Sequence, residues 1–189
     1  MLSNKTYKFW FCTGSQDLYG DECLRKVAEH SAKMVEALNA SDKIEYEIVL
    51  KPTLISQASI RQTLNDANND PECAGVITWC HTFSPAKMWI LGLKEFKKPL
   101  CHLHTQFNEE LPYDTIDMDF MNENQSAHGD REYGHIVSRM GIEREIIVGH
   151  WANEKVQERI GSWMTTAIGV IESSHIRVCR FGDNMNNVA

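Results

Sequence analysis

The sequence predicts an α/β fold built on a mostly parallel sheet with helices on both faces. Three observations point there. Strand-like and helix-like patterns alternate from one end of the chain to the other. The strand-like runs are near-continuously apolar, as in strands buried on both faces, and lack the in–out alternation of half-solvated strands. Polar segments rich in hydroxyl, amide and aromatic groups follow these runs repeatedly, as loops do at the carboxyl edge of an open parallel sheet.

Phe9-Trp10-Phe11-Cys12 reads as a first buried strand. From Cys23 to Leu38, Leu24, Val27, Ala28, Met34, Val35 and Leu38 recur at helical spacing. Tyr46 to Leu50 is a second strand ended by Pro52, and a helix starting near Ser56 buries Ile60, Leu64 and Ala67. Ala74 to Trp79 is a third strand. Ser84-Pro85 has the form of an N-cap followed by proline at the first helical position, opening a helix with Met88, Trp89 and Leu93. Leu100 to His104 is a fourth strand, followed by a polar stretch from Thr105 to Asp119 and a helix ending near Met140-Gly141. Ile146-Ile147-Val148 is a fifth. The next helix has the clearest stripe: Val156, Ile160, Trp163, Met164, Ala167, Ile168 and Ile171. Ile176 to Phe181 is expected as a sixth strand. The whole reads as a doubly wound, Rossmann-like or flavodoxin-like sheet with right-handed crossovers. A (β/α)₈ barrel is the alternative, but six strands do not close one. Because no crossover helix follows the sixth strand, that strand is either a terminal edge strand or the start of a cut unit; the cut is favoured, and residues 1–174 are expected to form an N-terminal α/β domain. Residues 175–189 would be the first strand and loop of a second domain that is cut short.

A 42% hydrophobic, 24% charged composition suits a globular core, and no stretch approaches the roughly 18 apolar residues of a membrane span. With a short apolar stretch after Met1 and no signal-peptide pattern, a cytoplasmic location is expected. The net charge of −7, without a Lys/Arg cluster, argues against nucleic acid, and no membrane partner is expected where no apolar span exists. Six cysteines occur without a C-x-x-C pair; Cys12, Cys101 and Cys179 lie in apolar runs, where cysteine acts as a small hydrophobe.

Four segments leave strands at the carboxyl edge: Thr13–Gly20, Trp79–Pro85, His102–Asn108 and Arg180–Asn184. Their mixture of hydrogen-bonding groups and rings suits a polyhydroxylated ligand, although each taken singly is equally a loop with capping residues. Gly14 and Gly20 lack the G-x-G-x-x-G spacing, so a dinucleotide site is not expected, and no Gly-Lys-Ser/Thr ending makes a P-loop. His102 and His104 face the same way in a strand and could hold a metal, but a hydrogen-bonded pair is the commoner arrangement. Asp114, Asp117 and Asp119 match no calcium loop and suit helix capping. Gln125 and His128 lie within one helical turn and could project together, or form a solvated face. No Ser-His-Asp arrangement or activated cysteine is evident.

These segments, in order, resemble the N-terminal region of L-arabinose isomerase. The matching stretches are Gly14-Ser15-Gln16-x-Leu18-Tyr19-Gly20, His81 to Ile90, His104 to Asn108, Ile116 to Asn122, Asn124 to Gly129, Gly149-His150-Trp151 and Arg180 to Met185. The chain departs from the usual residues at Asp17, Tyr113 and Glu123, and Asp17 places a charge beside Gln16. The resemblance implies a metal-assisted aldose–ketose isomerase converting L-arabinose to L-ribulose, with side activity from D-galactose to D-tagatose. It implies Mn²⁺ held by residues later in the family sequence, so that neither catalytic residues nor metal ligands are expected within this chain. It also implies a homo-oligomer with active sites at subunit contacts. By the same resemblance Gln16, Leu18, Phe83 and Met185 line the sugar pocket, while Gln125 and His128 reach a neighbouring subunit's site. The chain alone is expected to be inactive. The alternatives are a non-catalytic sugar-binding or regulatory module of the same fold, and more distantly a response-regulator-like switch. The last lacks the acidic cluster at the end of its first strand.

Overall fold

The computed structural model describes residues 6–182. Among them, β1 (Lys8–Gly14), β2 (Glu47–Leu50), β3 (Cys73–Cys80), β4 (Leu100–His104) and β5 (Glu145–Val148) form one sheet in the order β2-β1-β3-β4-β5. Every pairing is parallel. The helices are α1 (Gly20–Asn39), α2 (Gln57–Asn69), α3 (Ile90–Glu95), α4 (Met118–Glu123), α5 (Ser126–Arg139) and α6 (Glu154–Ser173). This is the doubly wound α/β fold read from the sequence, with its reversal of strand order between β1 and β3.

Side chains of successive strand residues take opposite faces, and β1 shows how this builds two cores. Phe9 and Phe11 pack with Met34 and Leu38 of α1 and Ile160 and Met164 of α6. Trp10 and Cys12 pack on the other face with Ile60 and Leu64 of α2, Leu93 of α3 and Tyr133 and Val137 of α5. The central strand β3 is buried along its whole length. That is why these strands carry no polar alternation. No described helix is long and apolar enough to cross a membrane.

Four local expectations change. Residues 176–181 form no strand and pair with no sheet edge among the described residues. Their side chains Ile176, Val178 and Phe181 are exposed, so an apolar run alone did not supply a ladder partner. Cys179 is likewise exposed, not a buried hydrophobe. Ser84 caps no helix: a 3₁₀ turn at Ala86–Trp89 precedes α3, and the Ser84 hydroxyl accepts from Trp89 Nε1 at 3.0 Å. The single helix expected before Met140 is two, broken at Asn124 and Gln125. Asp117 caps the first of these, its carboxylate accepting from Phe120 N at 2.8 Å.

Candidate functional site

The loops at the carboxyl ends of the strands are tied together by their own hydroxyl and imidazole groups. Ser15, after β1, and Thr82, after β3, lie 2.7 Å apart through their buried hydroxyls. Thr13 makes the same contact with Ser31 of α1 at 2.8 Å. His81, also after β3, places Nε2 at 2.7 Å from Nδ1 of His30 on α1. The His30 ring stacks on Phe107 after β4, with centroids 3.6 Å apart. Burial, and then the neighbouring His30, push His81 down to about pH 4, so it is neutral near pH 7. Its Nδ1 is buried without a partner among the described residues.

Next to this cluster, between the end of β4 and the α4–α5 break, lies a cavity of about 900 Å³. His104, Gln106, Phe120, Gln125, His128 and His150 are among its lining residues. The helix break is what delivers Gln125 and His128 there: Gln125 sits at the N-cap of α5, and His128 follows in its first turn. Two contacts pin that turn. Gly129 packs so close to β3 that a Cβ there would stand 3.2 Å from Cys80 Cβ and 3.3 Å from Ser84 N. Asp130 Oδ1 accepts from the Nε2–H of His102 at 2.7 Å. With that proton committed, His102 Nδ1 accepts from the Thr78 hydroxyl at 2.8 Å. Thr78 in turn lies 3.1 Å from the Tyr133 hydroxyl. Burial holds His102 below its ordinary value, and thus neutral.

Cys80, His102 and Asp130 bring three metal-ligating atoms within 4.8 Å of one another. The donor set does not fit a cation. Both His102 nitrogens are spent in hydrogen bonds, and burial pushes the Cys80 thiol well above its usual range, away from the thiolate a metal needs. Hydrogen bonding accounts for His102 and Asp130, and burial for the Cys80 thiol.

The structure sets Gln125 and His128, expected at a neighbouring subunit's site, apart from the expected sugar-pocket residues Gln16, Leu18 and Phe83. Gln125 and His128 share the cavity. Gln16 and Leu18 belong to the separate turn after β1, where Leu18 is 80% exposed. That turn touches the cavity wall through the Tyr19 hydroxyl, which donates to Gln125 Oε1 at 3.3 Å. Phe83 is half-buried beside the Ser15–Thr82 contact and does not line the cavity. Met185 lies outside the described residues. Sequence reasoning missed the His30–His81 pair and the role of Asp130. Their partners are 51 and 28 residues away, so no local spacing signals them.

The family model for the L-arabinose isomerase N-terminal domain matches residues 3–175. Along its whole length the chain is 60% identical to an L-arabinose isomerase of Halalkalibacterium halodurans. The figure is 56% for that of Geobacillus stearothermophilus and 55% for that of Bacillus subtilis. It covers 38% of each of these relatives. The match runs through every loop that builds the carboxyl edge of the sheet, and the chain belongs to the L-arabinose isomerase family, as its N-terminal domain.

Proposed function

We propose that this chain is the substrate-positioning domain of an enzyme that converts L-arabinose to L-ribulose, with D-galactose to D-tagatose as a side reaction. The observation that carries this reading is the convergence of Gln125 and His128 on one cavity at the carboxyl edge of the sheet. Amide and imidazole groups beside Phe120 suit a polyol: hydrogen bonds orient its hydroxyls while the ring desolvates a face. Gln16, Leu18, Phe83 and Met185 are assigned to this chain's own sugar site, while Gln125 and His128 are assigned to that of a neighbouring subunit, each site being completed by parts of the longer protein. Cytoplasmic metabolism is the setting of this reading.

The divalent ion, Mn²⁺ in this reading, is assigned to residues outside this chain, since both nitrogens of the buried His102 are already hydrogen-bonded. The chain contributes orientation and exclusion of water, which can lower a barrier by several kcal/mol. Leu111, Ile116 and Met121, around the cavity, expose large apolar side chains. That supports a neighbouring subunit as the cover over Gln125 and His128. The end of the family match at residue 175 supports assigning the residues beyond it to the next structural unit.

The test is ribulose formation by the full-length protein with Mn²⁺ and L-arabinose. We expect turnover there, and none from the 189-residue chain alone. In the full-length enzyme His128→Ala is expected to lower kcat/KM at least tenfold with metal content unchanged. An unchanged kcat/KM would remove His128 from the site. Calorimetric binding of L-arabinose by the isolated chain without metal would favour the sugar-binding module instead.

A further inference from the structure

His104 ends β4 and lines the same cavity as Gln125 and His128. Its side chain is 22% exposed, whereas Asp130 behind it is 9% exposed. Asp130 uses one carboxylate oxygen for His102, and the other faces His104 Nδ1 at 3.1 Å. Burial pushes this carboxyl up, but the two imidazoles outweigh burial and hold it below its ordinary value. Asp130 is thus ionised at neutral pH. A carboxylate set against Nδ1 favours the Nδ1–H tautomer, which leaves Nε2 as the basic nitrogen of a ring at the cavity wall. Anchoring α5 to the sheet needs only the buried bond to His102. A second imidazole on the same carboxylate, partly exposed in a cavity, is the arrangement of a proton acceptor.

We propose that His104, backed by Asp130, is the base that opens the cyclic form of the sugar in this cavity. The inference rests on the reading that the cavity holds an aldose. Aldopentoses exist in water overwhelmingly as rings, and proton transfer between neighbouring carbons requires the free carbonyl. His104 Nε2 takes the proton of the anomeric hydroxyl. The bond from the anomeric carbon to the ring oxygen breaks as the carbonyl forms, and its electron pair goes to the ring oxygen. The imidazolium then gives its proton to that oxygen. Nothing is oxidised or reduced, and His104 returns to its neutral form.

Ring opening without isomerisation is visible as mutarotation, which needs no metal. The experiment takes the full-length protein stripped of divalent ions, adds freshly dissolved crystalline L-arabinose and follows anomer interconversion by polarimetry. The wild-type protein is expected to accelerate it well beyond an equal concentration of free imidazole. His104→Gln should lose about a hundredfold of that acceleration, the scale of a general base. Asp130→Asn, which keeps an acceptor for His102 but removes the charge, should lose about tenfold. Wild-type protein no faster than imidazole overturns the proposal, as does unimpaired mutarotation in either variant. Should His104→Gln fail to fold, Asp130→Asn alone decides. A wild-type protein that isomerises with Mn²⁺ but shows no mutarotation sinks this inference and leaves the isomerase reading standing. Failure of both reactions sinks that reading too.

Discussion

His81 shows how a single buried residue ties the stability of the sheet edge to pH. Its pKa falls from an ordinary 6.5 to about 4 because burial penalises the imidazolium and His30 stands against it. A basic group with a depressed folded value binds fewer protons in the native state than in the unfolded one. Its contribution is therefore complete above pH 6.5 and is lost as pH falls from there toward 4. The loss at pH 5 comes to about 2 kcal/mol. Urea titrations at pH 7 and pH 5 should show this difference shrink in His81→Phe, whatever that variant costs at pH 7; an undiminished pH dependence would reject the assignment. His81 also marks a limit of reading residues in order. The notable segment from His81 to Pro85 is plain in the sequence, but the pairing with His30 joins two elements that only the fold brings together.

Elements were most legible where local chemistry alone decides them. Ser56 was expected to open α2, and it does so through a complete capping box with Ser59. Ser56→Ala should cost about 1 kcal/mol, read as a lower denaturation midpoint with an unchanged m-value. Ser84 has similar sequence credentials and caps nothing, because Trp89 folds back and donates to its hydroxyl. A tertiary contact has overridden a local preference. The same competition sets the sign at Gly161, inside α6. Alanine there gains about 1 kcal/mol of helix propensity. However, its Cβ would stand 2.1 Å from the Lys43 carbonyl oxygen, a backbone atom that cannot rotate aside. Overpacking costs typically 1–3 kcal/mol, and more for so close an approach, so Gly161→Ala should lower the melting temperature. A stabilised variant would mean that α6 and the loop before β2 do not meet this closely.

At the scale of the whole molecule, the apolar strands and the helical stripes specify a parallel sheet with two covered faces, but not which strand lies beside which. The order β2-β1-β3-β4-β5 depends on where each crossover helix packs, a property of the assembled cores. Residues 176–181 make the same point from the other side: a strand-like run forms no strand without a partner edge. Position in the sheet also dictates how protection against opening is distributed. β3 is buried throughout and lies between β1 and β4, with helices over both faces. β5 pairs on one side only among the described residues, and its Ile146 and Val148 side chains are exposed. Exposing the β3 amides requires separating both cores, whereas β5 can detach while β1, β2 and β3 remain packed. Amide hydrogen exchange should therefore find Val76, Ile77 and Thr78 at the slow limit set by global unfolding, with β5 exchanging at least a hundredfold faster. Equal protection of the two strands would mean that β5 opens only with the whole sheet. The cavity wall it shares with His104, Gln125 and His128 would then be as rigid as the core.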